Sequence, residues 1–201
     1  MSEVLAAVPD PPPAPEGFEA TAAWVGAQVW VARRLFEVVG GWSADEADAE
    51  ARVWFATVSR HVGWHAELLA ELLPETVEHR PEPLVVEPEG GWGVVLAELA
   101  LETGTVARLA GLVRVVLTHL ITALDAMAAR TTPAAGGPLH RVLALVGRDQ
   151  RDDQRAGEAL LERLLGRVGP DAVRIATDQQ RALETTLLLP LDVLERDDDR
   201  G

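Results

Sequence analysis

The chain has 201 residues, 48% of them hydrophobic and 25% charged, and it contains no Cys, Tyr, Lys or Asn. That size and apolarity suit one folded domain with a full core and exclude a wholly disordered chain. Thirty-two Asp and Glu against 18 Arg leave a net charge of −14, which argues against nucleic acid or an anionic membrane surface as partner, and without Cys there is no disulfide, thiolate nucleophile or zinc–thiolate site.

Residues 1–17 read as a flexible Pro-rich arm, with Pro9, Pro11, Pro12, Pro13 and Pro15 close together. The arm lacks the basic start and the apolar run of a secretion signal, so the cytoplasm is the expected location. No apolar stretch reaches ~18 residues without a charge, so no membrane span is expected. Residues 18–190 read as a single helical domain and 191–201 as an acidic, frayed end.

Within the domain the apolar period is close to 3.6 almost throughout. A first helix is expected from Phe18 to Val39, with Val25, Val29, Ala32, Phe36 and Val39 as its apolar stripe and Gly40-Gly41 as its stop. A second should open on Ser43 and Glu46, which have the spacing of a capping box, and run to Leu73 before Pro74. Residues 74–91 hold four prolines and read as a long crossover. A short helix over Trp92–Leu101 should break at Thr103-Gly104, and a long one should follow from Thr105 to Arg130. Thr131 to Gly137 reads as a loop, with Pro138 opening a helix that ends near Val168. A last helix is expected from an Asp171 cap to Leu189.

Polar residues on apolar stripes are the informative ones in such a chain. The second helix reads Ala51, Trp54, Val58, His61, His65, Leu68, Leu72, which puts two histidines inward, one turn apart. The 138–168 helix reads Leu139, Val142, Val146, Asp149, Asp153, Gly157, Leu160, Leu164, with two inward aspartates at i, i+4. The 105–130 helix carries His119 on the stripe Leu109, Leu112, Val116, His119, Ala123, Met127. All three interruptions fall near mid-helix. Imidazoles and carboxylates converging in a helical core suit iron, manganese or zinc. They also suit a metal-free network, because Asp–His and Asp–Arg hydrogen bonds would satisfy every group.

Long helices set as a pair, a long crossover and a second pair are similar to the ferritin-like superfamily. The resemblance implies an all-α, ferritin-like four-helix bundle with short extra helices. It also implies metal ligands from a Glu on the first helix, Glu-x-x-His on the second, Glu on the third and Glu-x-x-His on the fourth. This chain offers Glu37 on the first helix. On the second it has His65, with Val62 where the carboxylate belongs. It offers His119 on the third, and Asp149 followed by Asp152 on the fourth. Neither Glu-x-x-His is present. The expectation is therefore a diverged bundle that is non-catalytic, carries no cofactor and acts as a binding or structural protein, with a protein partner or a second copy of itself. The alternative is a metal-dependent oxidase or oxygenase holding non-haem iron or manganese on His61, His65, His119, Asp149, Asp153 and Glu37. The six Trp add a hint of an interface: Trp54 fits the core, whereas Trp24, Trp30 and Trp64 fall off the stripes.

Overall fold

The computed structural model describes residues 17–75, 82–131 and 133–188. Among these residues the chain is all-helical, without a strand. The readings of residues 1–16 as an arm and 191–201 as a frayed end lie outside the described residues, as do 76–81 of the crossover.

Helix α1 spans Phe18–Asp45 and α2 spans Ala49–Ala70, and the two pack side by side along most of their length. The expected stop at Gly40-Gly41 is wrong: α1 runs through both glycines. Trp42, just beyond them, is buried against Phe55 with ring centroids 5.2 Å apart. Burial of such a ring is worth about 1.5–3 kcal/mol, enough to offset the ~1–2 kcal/mol that two glycines cost inside a helix. The Ser43 capping box is also overturned. Ser43 Oγ donates back to the Gly40 carbonyl at 2.7 Å, and Asp48 caps α2 by accepting from the Glu50 and Ala51 amides at 3.0 and 2.9 Å. Helix α2 ends at Ala70 rather than Leu73. On α1 the stripe passes through Leu35, fully buried, and leaves Phe36 48% exposed, the reverse of the expected core position.

The crossover returns through a 3-10 turn at Glu82–Leu84, whose Leu84 and Val85 pack on Val25, Val29 and Leu69. Gly26 makes that approach possible, since a Cβ there would stand 2.0 Å from the Leu84 carbonyl oxygen. Helix α3 covers Trp92–Leu101, as expected, and the break at Thr103-Gly104 is present. The 105–130 stretch is helical throughout but in three parts: α4 Thr105–Ala110, a π-helical turn Gly111–Val116, and α5 Leu117–Arg130. It is long and apolar enough to cross a membrane by length and composition. Its apolar side chains Leu109, Leu112, Val115, Val116 and Leu117 lie in the main core with Val31, Leu35, Phe55 and Leu161.

Helix α6 spans Pro133–Val168, so most of the expected Thr131–Gly137 loop is helical: Thr131 is extended, and inside α6 Gly136 is non-helical at φ −141° and ψ 45°. Gly169, at φ +94°, turns the chain into α7, Pro170–Leu188, with Asp171 in its first turn rather than as its cap. Helix α6 touches α2, α5 and the π-helical turn. Gly157 sets the closeness of that contact: a Cβ there would meet the Trp54 ring at 2.4 Å and Val113 Cγ2 at 2.6 Å.

Candidate functional site: a histidine–aspartate ladder between two helices

The inward faces of α2 and α6 meet where the two stripes become polar. His61 Nδ1 lies 3.0 and 2.9 Å from the two carboxylate oxygens of Asp153, and His65 Nε2 lies 3.3 Å from Asp149 Oδ2. The i, i+4 spacing on both helices makes the two rungs successive. Four of the five inward His and Asp residues thus meet between α2 and α6, one helical turn apart, and His119 is not among them. The imidazole rings are 6.3 Å apart.

The two rungs differ in how completely they are satisfied. His61 is partly exposed, and Arg60 Nη2 approaches its Nε2 at 3.3 Å. Nδ1–H donating to Asp153 and Nε2 accepting from Arg60 use both nitrogens of a neutral ring. Trp54 Nε1 donates to the backbone carbonyl of Asp153 at 3.2 Å and anchors the same turn. His65 is only 1% exposed. Its Nε2–H faces Asp149, so Nδ1 is the lone-pair nitrogen, and this buried atom has no hydrogen-bond partner. Burial holds His65 below its ordinary pKa of 6.5, against the opposing pull of Asp149. Burial also raises Asp153 above the usual carboxylate value, countered by its hydrogen bond from His61.

Sequence reasoning missed Gln150. It is 6% exposed, and its Oε1 is a second buried acceptor without a partner. Leu143, Val146 and Gln150 form an i, i+3, i+7 stripe of their own, and a polar residue ending such a stripe is the signal that could have found it. Another polar device, equally unforeseen, holds the π-helical turn. Gln154 Nε2 donates to the Val113 carbonyl at 3.2 Å and to Thr118 Oγ1 at 2.9 Å, meeting a carbonyl that the π turn displaces from the regular ladder.

The remaining candidates stand apart. His119 Nδ1 donates to the Val115 carbonyl of its own helix at 2.9 Å and joins neither rung. Glu37 is on the surface, paired with Arg34. Among the described residues no group of three His, Asp or Glu side chains is arranged to hold a metal ion. The donors do not fit a carboxylate-bridged pair of irons. Glu37 faces solvent, buried Val62 stands in the place of a carboxylate, and His61 and Asp153 engage each other.

A second feature lies on the opposite face of α2. An open groove of ≈ 690 Å³ between α1 and α2 is lined by Arg33, Phe36, Arg60, Gly63, Trp64 and Glu67 among others. Gly63 gives Phe36 its place, since a Cβ there would meet the ring at 2.9 Å. Trp64 is 45% exposed, unlike Trp24 and Trp30, which are partly buried against core clusters. Val53, on the same side of α2, is 67% exposed. Comparison with protein-family models, curated proteins and solved structures yields no match of any kind.

Proposed function

We propose that this chain is a diverged ferritin-like helical bundle that works by protein association, not catalysis, and that its partner is a second copy of itself docked through the α1–α2 groove. The groove carries this reading. It exposes Phe36 and Trp64 together, with Val53 further along α2; among the described residues Phe18, at the start of α1 and outside the groove, is the other exposed large aromatic. Exposed Trp and Arg at the centre of a patch are the residue types that dominate association energy. The patch also has both signs of charge, Arg33 and Arg60 beside Glu67. A two-fold axis sets one patch against its own copy, so arginines of one chain can meet glutamates of the other. The ferritin-like assignment is supported by the α1–α2 pair, the crossover of residues 71–91 and the return of α5 and α6 as a second packed pair. The His–Asp ladder then acts as a polar pin between α2 and α6, since paired groups fix one register of two helices.

Analytical ultracentrifugation of the full chain tests this. The expected result is a dimer at micromolar concentration, weakened at least ~10-fold by Trp64→Ala with unchanged helicity. A monomer at every accessible concentration would refute it. The second reading, a metal-dependent oxidase or oxygenase, rests on the unpartnered lone pair of His65 Nδ1. Elemental analysis after anaerobic Fe(II) or Mn(II) loading separates the two: a stoichiometric metal lost in His65→Ala would favour the enzyme.

A further inference from the structure

Helices α1, α2, α5 and α6 enclose a cavity beside the lower rung of the ladder, with room for about one water molecule. Most of its wall is apolar, including Leu35, Val62, Leu120 and Val146. Three polar side chains break that wall: His65, Gln150 and Gln28. The unpartnered atoms of the first two, His65 Nδ1 and Gln150 Oε1, are both acceptors, and both residues are more than nine-tenths buried. Two acceptors cannot satisfy each other. Each one left bare carries an uncompensated desolvation cost, and the two residues line the same water-sized space.

We propose that this cavity is a binding site for a single small neutral hydrogen-bond donor, an internal water molecule that donates one proton to His65 Nδ1 and the other to Gln150 Oε1. Water matches the site on three counts. It carries two donors for two acceptors. It fits the volume, which no larger ligand does. It is neutral, and a cation would need compensating charge in a wall that is otherwise apolar. Gln28 supplies a further polar group toward the two to four partners that an internal water takes. The result is a chain of hydrogen bonds, Asp149–His65–water–Gln150, that reaches from α6 through α2 and back to α6. The water keeps His65 in the tautomer with Nε2–H toward Asp149, and so holds the pair together. This inference is independent of self-association through the outer groove.

A crystal structure that resolves ordered solvent, paired with ¹⁵N NMR of the histidines, tests it. The expected result is one solvent peak within hydrogen-bond distance of both atoms, no xenon uptake under pressure, and a His65 ¹⁵Nδ1 resonance of the unprotonated, hydrogen-bonded type. Gln150→Met, which keeps volume and removes the acceptor, should shift that resonance and clear the peak. Gln150→Glu keeps the acceptor and should retain the peak should the Met variant fail to fold. An empty or xenon-filled cavity would overturn the proposal. So would a peak with the anomalous signal of a metal, or a wild-type His65 protonated at Nδ1.

Discussion

Two buried polar clusters, one at the α1–α2 turn and one between α2 and α6, differ in how fully the chain satisfies them. At the α1–α2 turn, Glu46 is 2% exposed and fully engaged. It accepts from the Asp48 amide at 3.0 Å and from Thr105 Oγ1 at 2.7 Å, and it pairs with Arg108 at 3.4 Å. Arg108 in turn reaches Asp45 at 3.0 Å, donates to the Glu102 carbonyl at 2.8 Å and lies 5.5 Å above the Trp42 ring. Further along α2, the ladder leaves His65 Nδ1 and Gln150 Oε1 bare. The charges of the first cluster are paired within the chain, with the Trp42 indole N–H its one unmatched group, and they staple the α1–α2 turn to α4. The second is complete in one rung and open in the next. A buried polar group left unmatched by its own chain is the place to look for something the chain binds.

The largest effect that would break this contrast is at the staple. Glu46→Ala leaves the Arg108 charge buried with only exposed Asp45 beside it, and should lower stability by about 3 kcal/mol in urea unfolding. A loss under 1 kcal/mol would show that the staple is dispensable. Next comes the closed rung: His61→Leu removes the donor to Asp153 and should cost about 1–3 kcal/mol. It should also raise the Asp153 pKa further, readable by carboxylate NMR. An unmoved Asp153 would mean the rung does not exist in solution.

The open rung has a pH signature. The folded pKa of His65 is below 6.5, so the unfolded chain takes up its proton first as pH falls. Stability from neutral His65 is thus full above pH 6.5 and is lost as pH drops from 6.5 toward the lower folded value. Asp153 runs the other way at lower pH: its raised folded pKa gives stability that is full below 3.8 and lost as pH rises from there to the folded value. His65→Leu should therefore flatten the decline of the thermal midpoint just below pH 6.5. A decline as steep as in the wild type would assign it to other groups. The smallest effect is expected outside both clusters. Arg114 and Glu158 form a half-exposed pair between the π-helical turn and α6, and Arg114→Gln should change stability by no more than about 1 kcal/mol.

Period carried the sequence reading furthest. The 3.6-residue stripes put His61, His65, His119, Asp149 and Asp153 inward, and the structure joins four of them across two helices and leaves His119 on its own backbone. Spacing along one helix is local information, and helical phase converts it to a shared face. Phe36 shows the limit: Leu35 and Phe36 both fit a stripe that moves by three or four, and only the neighbouring α2 decides between them. The helix start at Asp48 was hidden because Ser43 and Glu46 imitate a cap while being engaged elsewhere. The staple was illegible for another reason: Arg108 and Glu46 are 62 positions apart and no periodicity links them. Gln150 is hard to see in the sequence because it sits beside Asp149, on a stripe one residue out of phase with that of the two aspartates.

Sedimentation equilibrium on wild type and Trp64→Ala at matched concentrations decides whether the chain associates through the outer face of α2. A wild-type dimer and a variant shifted toward monomer are expected, with equal helicity and equal thermal midpoint at concentrations where both are monomeric. A wild-type monomer, or a dimer indifferent to Trp64, would contradict association through this face.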